Sequence, residues 1–154
     1  MSYKVSLIVL ALGGALIGVT AIAAAPATPA EMLKVRHDHY KALGDTFKSV
    51  RDQSKADAPD WAALQKSAER VQKASQNQIQ WFPKGSGPEA GKTRALPEIW
   101  TKPAEFQAAM KMFEDRAPAL VAATQAKDAD ALDKAFKSLG GACKNCHDNF
   151  RGPE

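Results

Sequence analysis

Hydrophobic residues recur at steps of three and four positions in four separate stretches of the chain, and this spacing constrains the fold more than any other feature. Such spacing places the hydrophobic side chains on one face of a helix. It predicts helices over 31–53, over 61 to about 81, from near Pro103 to a break at 126–128, and from that break to Gly152. Pro118 falls inside the third helix and predicts a kink there. Asp60 stands where it can cap the second.

The connection at 83–102 holds three prolines and three glycines, which stop a helix from continuing. No segment has the period of a strand, so the sequence predicts an all-α protein, an antiparallel four-helix bundle. An alanine-rich chain with only 7% aromatic residues agrees with that fold class. The net charge of +4 is mild and gives no reason to expect a nucleic-acid partner.

Residues 1–25 have the pattern of a cleaved signal peptide. Lys4 is followed by a hydrophobic stretch without charge, and small residues at 21–25 offer cleavage sites. The alternative is an uncleaved anchor helix, because uncharged residues run from 5 to 30. We expect residues 26–154 to form one exported domain, periplasmic and free of the membrane once the signal is removed.

The sequence Cys143-Lys-Asn-Cys146-His147 lies in the last predicted helix. C-x-x-C-H is the attachment motif of c-type haem. Two thiols three residues apart share one helix face, where they can form thioethers with the two vinyl groups of one porphyrin. The adjacent His147 is then the proximal ligand to the iron. The motif predicts one covalently attached haem c.

Two other uses of the cysteine pair stay open from the motif alone. A zinc site would need Cys143 and Cys146 together with His37 and His39. A redox-active dithiol normally starts a helix in an α/β fold, whereas this pair comes late in the last helix. A disulfide across this spacing on a helix is geometrically poor.

Three segments resemble the cytochrome c′ family and its low-spin relatives. They are WFPKGSG at 81–87, KTRALPEIW at 92–100 with Phe106 after it, and GGACKNCHDNFR at 140–151. The resemblance covers about 31–151. It implies a bundle with haem held between the helices, and a homodimer packed through the first two helices.

The resemblance also implies roles for residues of the first helix. Arg36 matches an arginine beside a haem propionate, and Tyr40 matches the side chain that covers the distal face of the haem. Because Tyr40 stands where low-spin relatives have a methionine ligand, we expect a five-coordinate iron. A sixth ligand from His37, His39 or Met32 is the alternative.

Further residues are candidates for contact with the haem. Arg151 shares a face with His147 and is expected beside the proximal pocket or a propionate, or as a solvated residue at the helix end. Thr93 and Arg94, in the matching loop, are candidates for propionate contacts. Aromatic residues that could form the walls of the pocket are Trp81, Phe82 and Trp100.

Two functions follow from these predictions. One is an electron carrier for a redox partner that the sequence does not identify. The other is binding of a small gas, NO or CO, beneath Tyr40. A peroxidase would need His39 and Arg36 as distal acid and base, and the sequence favours a protein that is not an enzyme.

Overall fold

The computed structural model describes residues 28–153, and all of its regular elements are helical. Four helices are long: α1 (Pro29–Ser54), α2 (Trp61–Ser75), α4 (Pro103–Ala126) and α5 (Ala129–Phe150). A short α3 (Glu98–Thr101) and two 3-10 turns, Gln78–Trp81 and Pro88–Ala90, lie in the connection between α2 and α4. The predicted signal peptide and the boundary at residue 26 lie outside the described residues.

The helix ends follow local signals in the sequence. Thr28 and Glu31 form a reciprocal capping box that starts α1 at Pro29, two residues earlier than the periodicity predicts. Asp60 caps α2 as predicted, since its Oδ1 accepts hydrogen bonds from the amides of Ala62 and Ala63, each at 3.0 Å. Asp128 caps α5 in the same way.

The second helix is shorter than predicted. It ends at Ser75 rather than near Trp81, because Gln76 is extended and Asn77 has a φ of 57°. Asparagine tolerates this left-handed conformation better than most residues. The chain resumes as the 3-10 turn Gln78–Trp81, which buries Gln78 and leaves Ile79 44% exposed. Within α4, helical structure continues on both sides of Pro118.

The long helices pack as a ring. α4 contacts α5 and α2, and α1 contacts α2 and α5. The buried residues form two groups. The first, the bundle core, consists of Val50, Leu64, Ala68, Val71, Phe113, Ala117, Leu120, Ala123, Leu132, Ala135, Leu139 and Ala142. The second, the aromatic end, consists of Ile99, Phe106, Ala109 and Phe150, with Phe82, Ala95, Trp100, Met110 and Cys146 packed against them.

Among the helices of residues 28–153, none combines the length and hydrophobicity needed to cross a bilayer.

Candidate haem site

The two thiols of the C-x-x-C-H motif lie where the bundle core meets the aromatic end. Cys143 packs against the bundle core, and Cys146 packs against the aromatic end. Both are free thiols and both are partly buried. Burial raises the pKa of Cys146 to about 11 and raises that of Cys143 as well. The sulfurs are therefore protonated at neutral pH.

The end of α5 is fixed by the loop that precedes α3. The amide of Leu96 donates to the carbonyl of Phe150 at 3.0 Å, and the amide of Gly152 donates to the carbonyl of Arg94 at 2.7 Å. The Arg94 side chain closes the same junction, with Nε 2.9 Å from the Gly152 oxygen. These bonds tie the predicted loop segment 92–100 to the turn that follows His147.

The same junction brings two guanidinium groups near His147. Partial burial, and then the charges of Arg151 and Arg94, lower the pKa of the His147 imidazole. A lowered pKa favours the neutral ring, and the neutral ring is the form that binds a metal. The structure thus places Arg94 and Arg151 on the side of the motif where the proximal ligand stands.

Arg36 is a buried cation surrounded by neutral groups. The residue is only 5% exposed. Its guanidinium donates to the carbonyls of Trp81 and Ser86 and to the hydroxyls of Ser86 and Thr93, at 3.0–3.3 Å. It also lies over the Phe82 ring, 4.6 Å from the centroid.

Within the described residues, these contacts include no carboxylate for Arg36. Burial lowers the pKa of this guanidinium, which is the mark of a desolvated charge. A buried charge is normally paired. A haem propionate is a carboxylate that would supply the missing partner, so the surroundings of Arg36 and Thr93 fit a bound haem.

Tyr40 lies one helical turn after Arg36 and faces the thiols. Its pKa is raised well above the ordinary value, first by burial and then by the negative charge that Cys146 would carry. Its ring meets the indole of Trp81 edge-on, with centroids 5.3 Å apart, and tilts against Phe82 at 6.2 Å. Its hydroxyl donates to Oε1 of Gln78 at 3.1 Å. Tyr40 therefore lies near the cysteine pair, with its ring packed against Trp81 and Phe82.

The other candidate ligands on α1 are placed differently. The side chain of His37 is 75% exposed, and its Nδ1 lies 3.3 Å from a carboxylate oxygen of Asp38. His39 is also exposed, and its ring stacks on Trp81 with centroids 4.5 Å apart and planes 6° from parallel. Met32 lies two turns before Tyr40 and is partly buried. Besides burial, the charges that Cys146 and Cys143 would carry raise the pKa of Tyr40, so the phenol lies near both thiols.

A cavity of about 430 Å³ opens at the aromatic end. Its lining is mostly hydrophobic and comprises Ile79, Phe82, Lys84, Ile99, Trp100, Pro103 and Phe106. The Trp100 indole donates to the carbonyls of Phe82 and Pro83, at 3.2 and 3.1 Å, and so holds one wall in place. A larger groove of about 550 Å³ runs along the polar side of α1 and has neither a cysteine nor an aromatic residue in its lining.

The zinc alternative lacks a donor set in the described part of the chain. Residues 28–153 bring together no group of three or more histidine, cysteine or acidic side chains that could hold a metal ion. His37 and His39 lie on exposed positions of α1, and the thiols lie on α5.

No functional role was predicted from the sequence for three residues that the structure places in the site. Gln78 and Ser86 are buried polar residues, 4% and 0% exposed, that hold Tyr40 and Arg36 respectively. Met110 places its sulfur 3.9 Å from the Tyr40 hydroxyl. Ser86 at least lies within the WFPKGSG segment, whereas Gln78 reaches the site only because α2 ends early.

Known proteins match this arrangement over nearly the whole described chain. The family model for cytochrome c′ matches residues 31–151. Cytochrome c′ of Pararhodospirillum photometricum is 35% identical over 81% of this chain and 99% of its own length. Cytochrome c-554 of Cereibacter sphaeroides is 31% identical over 92% of this chain and 94% of its own.

Solved structures agree with the fold. Cytochrome c′ of Thermochromatium tepidum superposes with a TM-score of 0.79, covering 84% of this chain and all of the other, at 23% identity. A nitric oxide complex of a variant of the Alcaligenes xylosoxidans protein superposes with a TM-score of 0.76 at 30% identity, with the same coverage.

The cofactor follows from the family and from the fit of the site. Proteins of this family carry one covalently bound c-type haem. In this chain Cys143 and Cys146 would hold it, His147 would ligate its iron, and Arg36 would meet a propionate. With the family match spanning residues 31–151 and this site beneath it, the chain belongs to the cytochrome c′ family.

Proposed function

We propose that this chain is a periplasmic haem protein that exchanges single electrons, binds NO or CO, or does both, at an iron with His147 as its one protein ligand. When bound, the haem supplies a one-electron iron couple and an open sixth position for a diatomic gas. The observation that carries the proposal is the position of Tyr40. Tyr40 puts a phenol of α1 near the cysteine pair, whereas the imidazoles of His37 and His39 are exposed.

The surroundings of Tyr40 support an open sixth position. The Tyr40 hydroxyl is bonded to Gln78, and the ring is wedged against Trp81 and Phe82. His39, the imidazole nearest in sequence, is stacked on Trp81 at an exposed position. Moving His39 into the site would require the loss of that stack and the displacement of Tyr40.

The chain's own residues give the site a fixed charge and low polarity. Arg36 provides a fixed positive charge in a buried setting, and Ser86 and Thr93 hold it there. Phe106 and Trp100 contribute hydrophobic surface to the aromatic end. Low polarity and a fixed charge are the means by which a protein tunes such a centre.

Solved structures of a relative contain the two gases of this proposal. Structures of the Alcaligenes xylosoxidans protein include variants with nitric oxide and with carbon monoxide bound. The proposal gives this chain no catalytic role, because Arg36 and His39, the pair a peroxidase would need, are held by Thr93 and Trp81 respectively.

Export and assembly complete the proposal. Residues 1–25 direct the chain to the periplasm and are removed there, and the mature protein forms a homodimer through α1 and α2. Mass spectrometry of protein from the periplasmic fraction tests the first statement. Sedimentation velocity tests the second.

Optical spectra of the holoprotein test the central claim. Purified protein is recorded oxidised and reduced, with and without CO, beside His39→Ala as a matched control. We expect a broad high-spin reduced spectrum that changes on addition of CO, identical in both proteins. A sharp low-spin spectrum indifferent to CO would contradict the proposal, and its loss in His39→Ala would identify the sixth ligand.

A further inference from the structure

Gln78 is a buried amide whose two ends make different bonds. The residue is 4% exposed. Its Nε2 donates to the backbone carbonyl of Ala74 at 2.6 Å, and its Oε1 accepts from the Tyr40 hydroxyl at 3.1 Å. A carbonyl can only accept, so the nitrogen of the amide must face Ala74. The oxygen then faces Tyr40, and the orientation of the amide is fixed by chemistry.

This orientation determines where the phenol proton goes. A tyrosine hydroxyl has one proton to donate. Because Oε1 of Gln78 is an acceptor, that proton lies in the Tyr40–Gln78 bond. The other neighbour of the hydroxyl is the sulfur of Met110 at 3.9 Å, which is also an acceptor and a weaker one. Both neighbours draw the proton into the protein.

The backbone places Gln78 at this position. Asn77, with its φ of 57°, separates α2 from the 3-10 turn that begins at Gln78. The turn directs the Gln78 side chain back toward the carbonyl of Ala74, near the end of α2. The amide therefore both satisfies a helix end and receives the phenol.

We propose that Gln78 is a positioning residue that keeps the Tyr40 proton away from a ligand at the sixth position, so that the distal cover offers a ring face and no hydrogen-bond donor. This inference rests on the proposed function. It assigns ligand discrimination at the site to a residue of the 3-10 turn rather than to Tyr40 alone. Without the Gln78 oxygen, the Tyr40 hydroxyl keeps only the weak sulfur acceptor of Met110 and is released to donate to whatever occupies the site.

The C–O stretching frequency of the reduced CO complex reports such a donor, because a proton on the ligand oxygen lowers that frequency. The variants are Tyr40→Phe, Gln78→Met, the double variant, and Gln78→Glu. We expect wild type and Tyr40→Phe to share one frequency and Gln78→Met to have a lower one. One hydrogen bond would also tighten CO binding in Gln78→Met by about two- to tenfold.

Two variants serve as controls for this result. The double variant should return to the wild-type frequency, because it lacks the phenol hydroxyl. Gln78→Glu should also match wild type: a buried carboxyl stays protonated, donates to Ala74 and accepts from Tyr40. A frequency in wild type below that of Tyr40→Phe would overturn the inference, and so would an unchanged frequency in Gln78→Met.

Thermal unfolding of the wild-type, Tyr40→Phe, Gln78→Met and double-variant holoproteins separates this inference from the proposed function. If none of these proteins binds CO, the gas-binding proposal fails. The Tyr40–Gln78 hydrogen bond is then tested by the double-mutant cycle of Tm values alone. A double variant whose Tm is no lower than that of the less stable single variant supports the Tyr40–Gln78 hydrogen bond. Strictly additive losses in Tm overturn it. Should Gln78→Met fail to fold, the comparison of wild type with Tyr40→Phe still decides.

Discussion

The bundle core and the aromatic end of this molecule are built on different principles. The bundle core is almost wholly aliphatic, and Leu64, Leu120 and Leu139 in it have no exposed surface. All of its members come from α1, α2, α4 and α5. The aromatic end draws Ile99 from the short α3, and Phe82 and Ala95 from the part of the connection that precedes it.

Polar groups divide in the same way. The aromatic end adjoins a buried guanidinium, a buried amide and the thiol of Cys146, whereas the buried members of the bundle core are all hydrophobic. Cys143 and Cys146 stand at the boundary between the two. Stability and chemistry therefore reside in different regions of the molecule: the bundle core holds the helices together, and the irregular segment shapes the site.

The largest effect should follow removal of the thiols at the boundary. In Cys143→Ala/Cys146→Ala we expect complete loss of covalently attached haem, because no thioether can form. Haem staining of a denaturing gel and the intact mass measure this. Each single variant keeps one thiol and should retain some attached haem. Covalent haem at the wild-type level in the double variant would refute the assignment of both residues.

A truncation in the bundle core should reduce stability and spare the site. Leu139 is fully buried on α5, one turn before Cys143. Leu139→Ala should lower the free energy of unfolding by about 2–5 kcal/mol, from lost burial and the cavity left behind. Val35→Ala, at a position 36% exposed, is the matched control and should change stability little.

Denaturant unfolding measures both variants, and optical spectra follow the site. If the two regions are separable, the haem spectrum of Leu139→Ala stays that of wild type. A changed spectrum would show that the bundle core and the site are coupled through α5.

At the aromatic end, removing the buried cation should alter the redox centre more than the fold. Arg36→Met should lower the reduction potential, because a nearby positive charge favours the reduced, less positive state. The size is on the order of tens of millivolts for a partly desolvated charge. Potentiometric titration measures it.

Lys34 supplies the control for that measurement. It lies on the same helix, is 81% exposed and pairs with Asp38. Solvent screens such a charge, so Lys34→Met should leave the potential near that of wild type. Equal shifts in both variants would mean that net charge, and not the buried position of Arg36, sets the potential.

Periodicity predicted the bundle core well. Three of the four long helices lie within a few residues of their predicted bounds, since an amphipathic stripe and a capping aspartate are local features. Leu64, Val71 and Leu139, on predicted hydrophobic faces, are fully buried. The error falls at the end of α2, where one residue, Asn77, in a left-handed conformation overrides a hydrophobic pattern that continues to Trp81.

The sequence predicted site residues only through the C-x-x-C-H motif or through the resemblance to the cytochrome c′ family. The resemblance supplied Arg36 and Thr93, which lie 57 positions apart and meet at 3.1 Å. Nothing local in the sequence couples them. Gln78 is one polar residue among several at the end of α2, and its burial depends on tertiary packing that periodicity does not encode.

A smaller effect should follow from the burial of Tyr40, as a dependence of the free energy of unfolding on pH. Its pKa is raised above the ordinary 10.0, so the unfolded chain releases this proton first. The stability that Tyr40 contributes is therefore complete below pH 10 and is lost as the pH rises above it. The loss is on the order of 1 kcal/mol per pH unit.

Tyr40→Phe isolates this contribution from other groups that titrate at high pH. The variant should be less stable than wild type at pH 8, since it lacks the bond to Gln78. We expect the difference to shrink between pH 10 and 11, where wild type loses stability and the variant does not. Denaturant unfolding at the three pH values measures it, and a constant difference would mean that the phenol is accessible to water.

The smallest effect should come from within the motif itself. Lys144 stands between the two cysteines, yet its side chain is 74% exposed and pairs with Asp148 on the outer face of α5. An exposed pair of this spacing adds little stability, so Lys144→Ala should change Tm by less than about 2 °C. Covalent haem should be unchanged by gel staining, because residue 144 faces away from the thiols. Reduced haem attachment in Lys144→Ala would show that the haem site extends to the solvent-exposed face of α5.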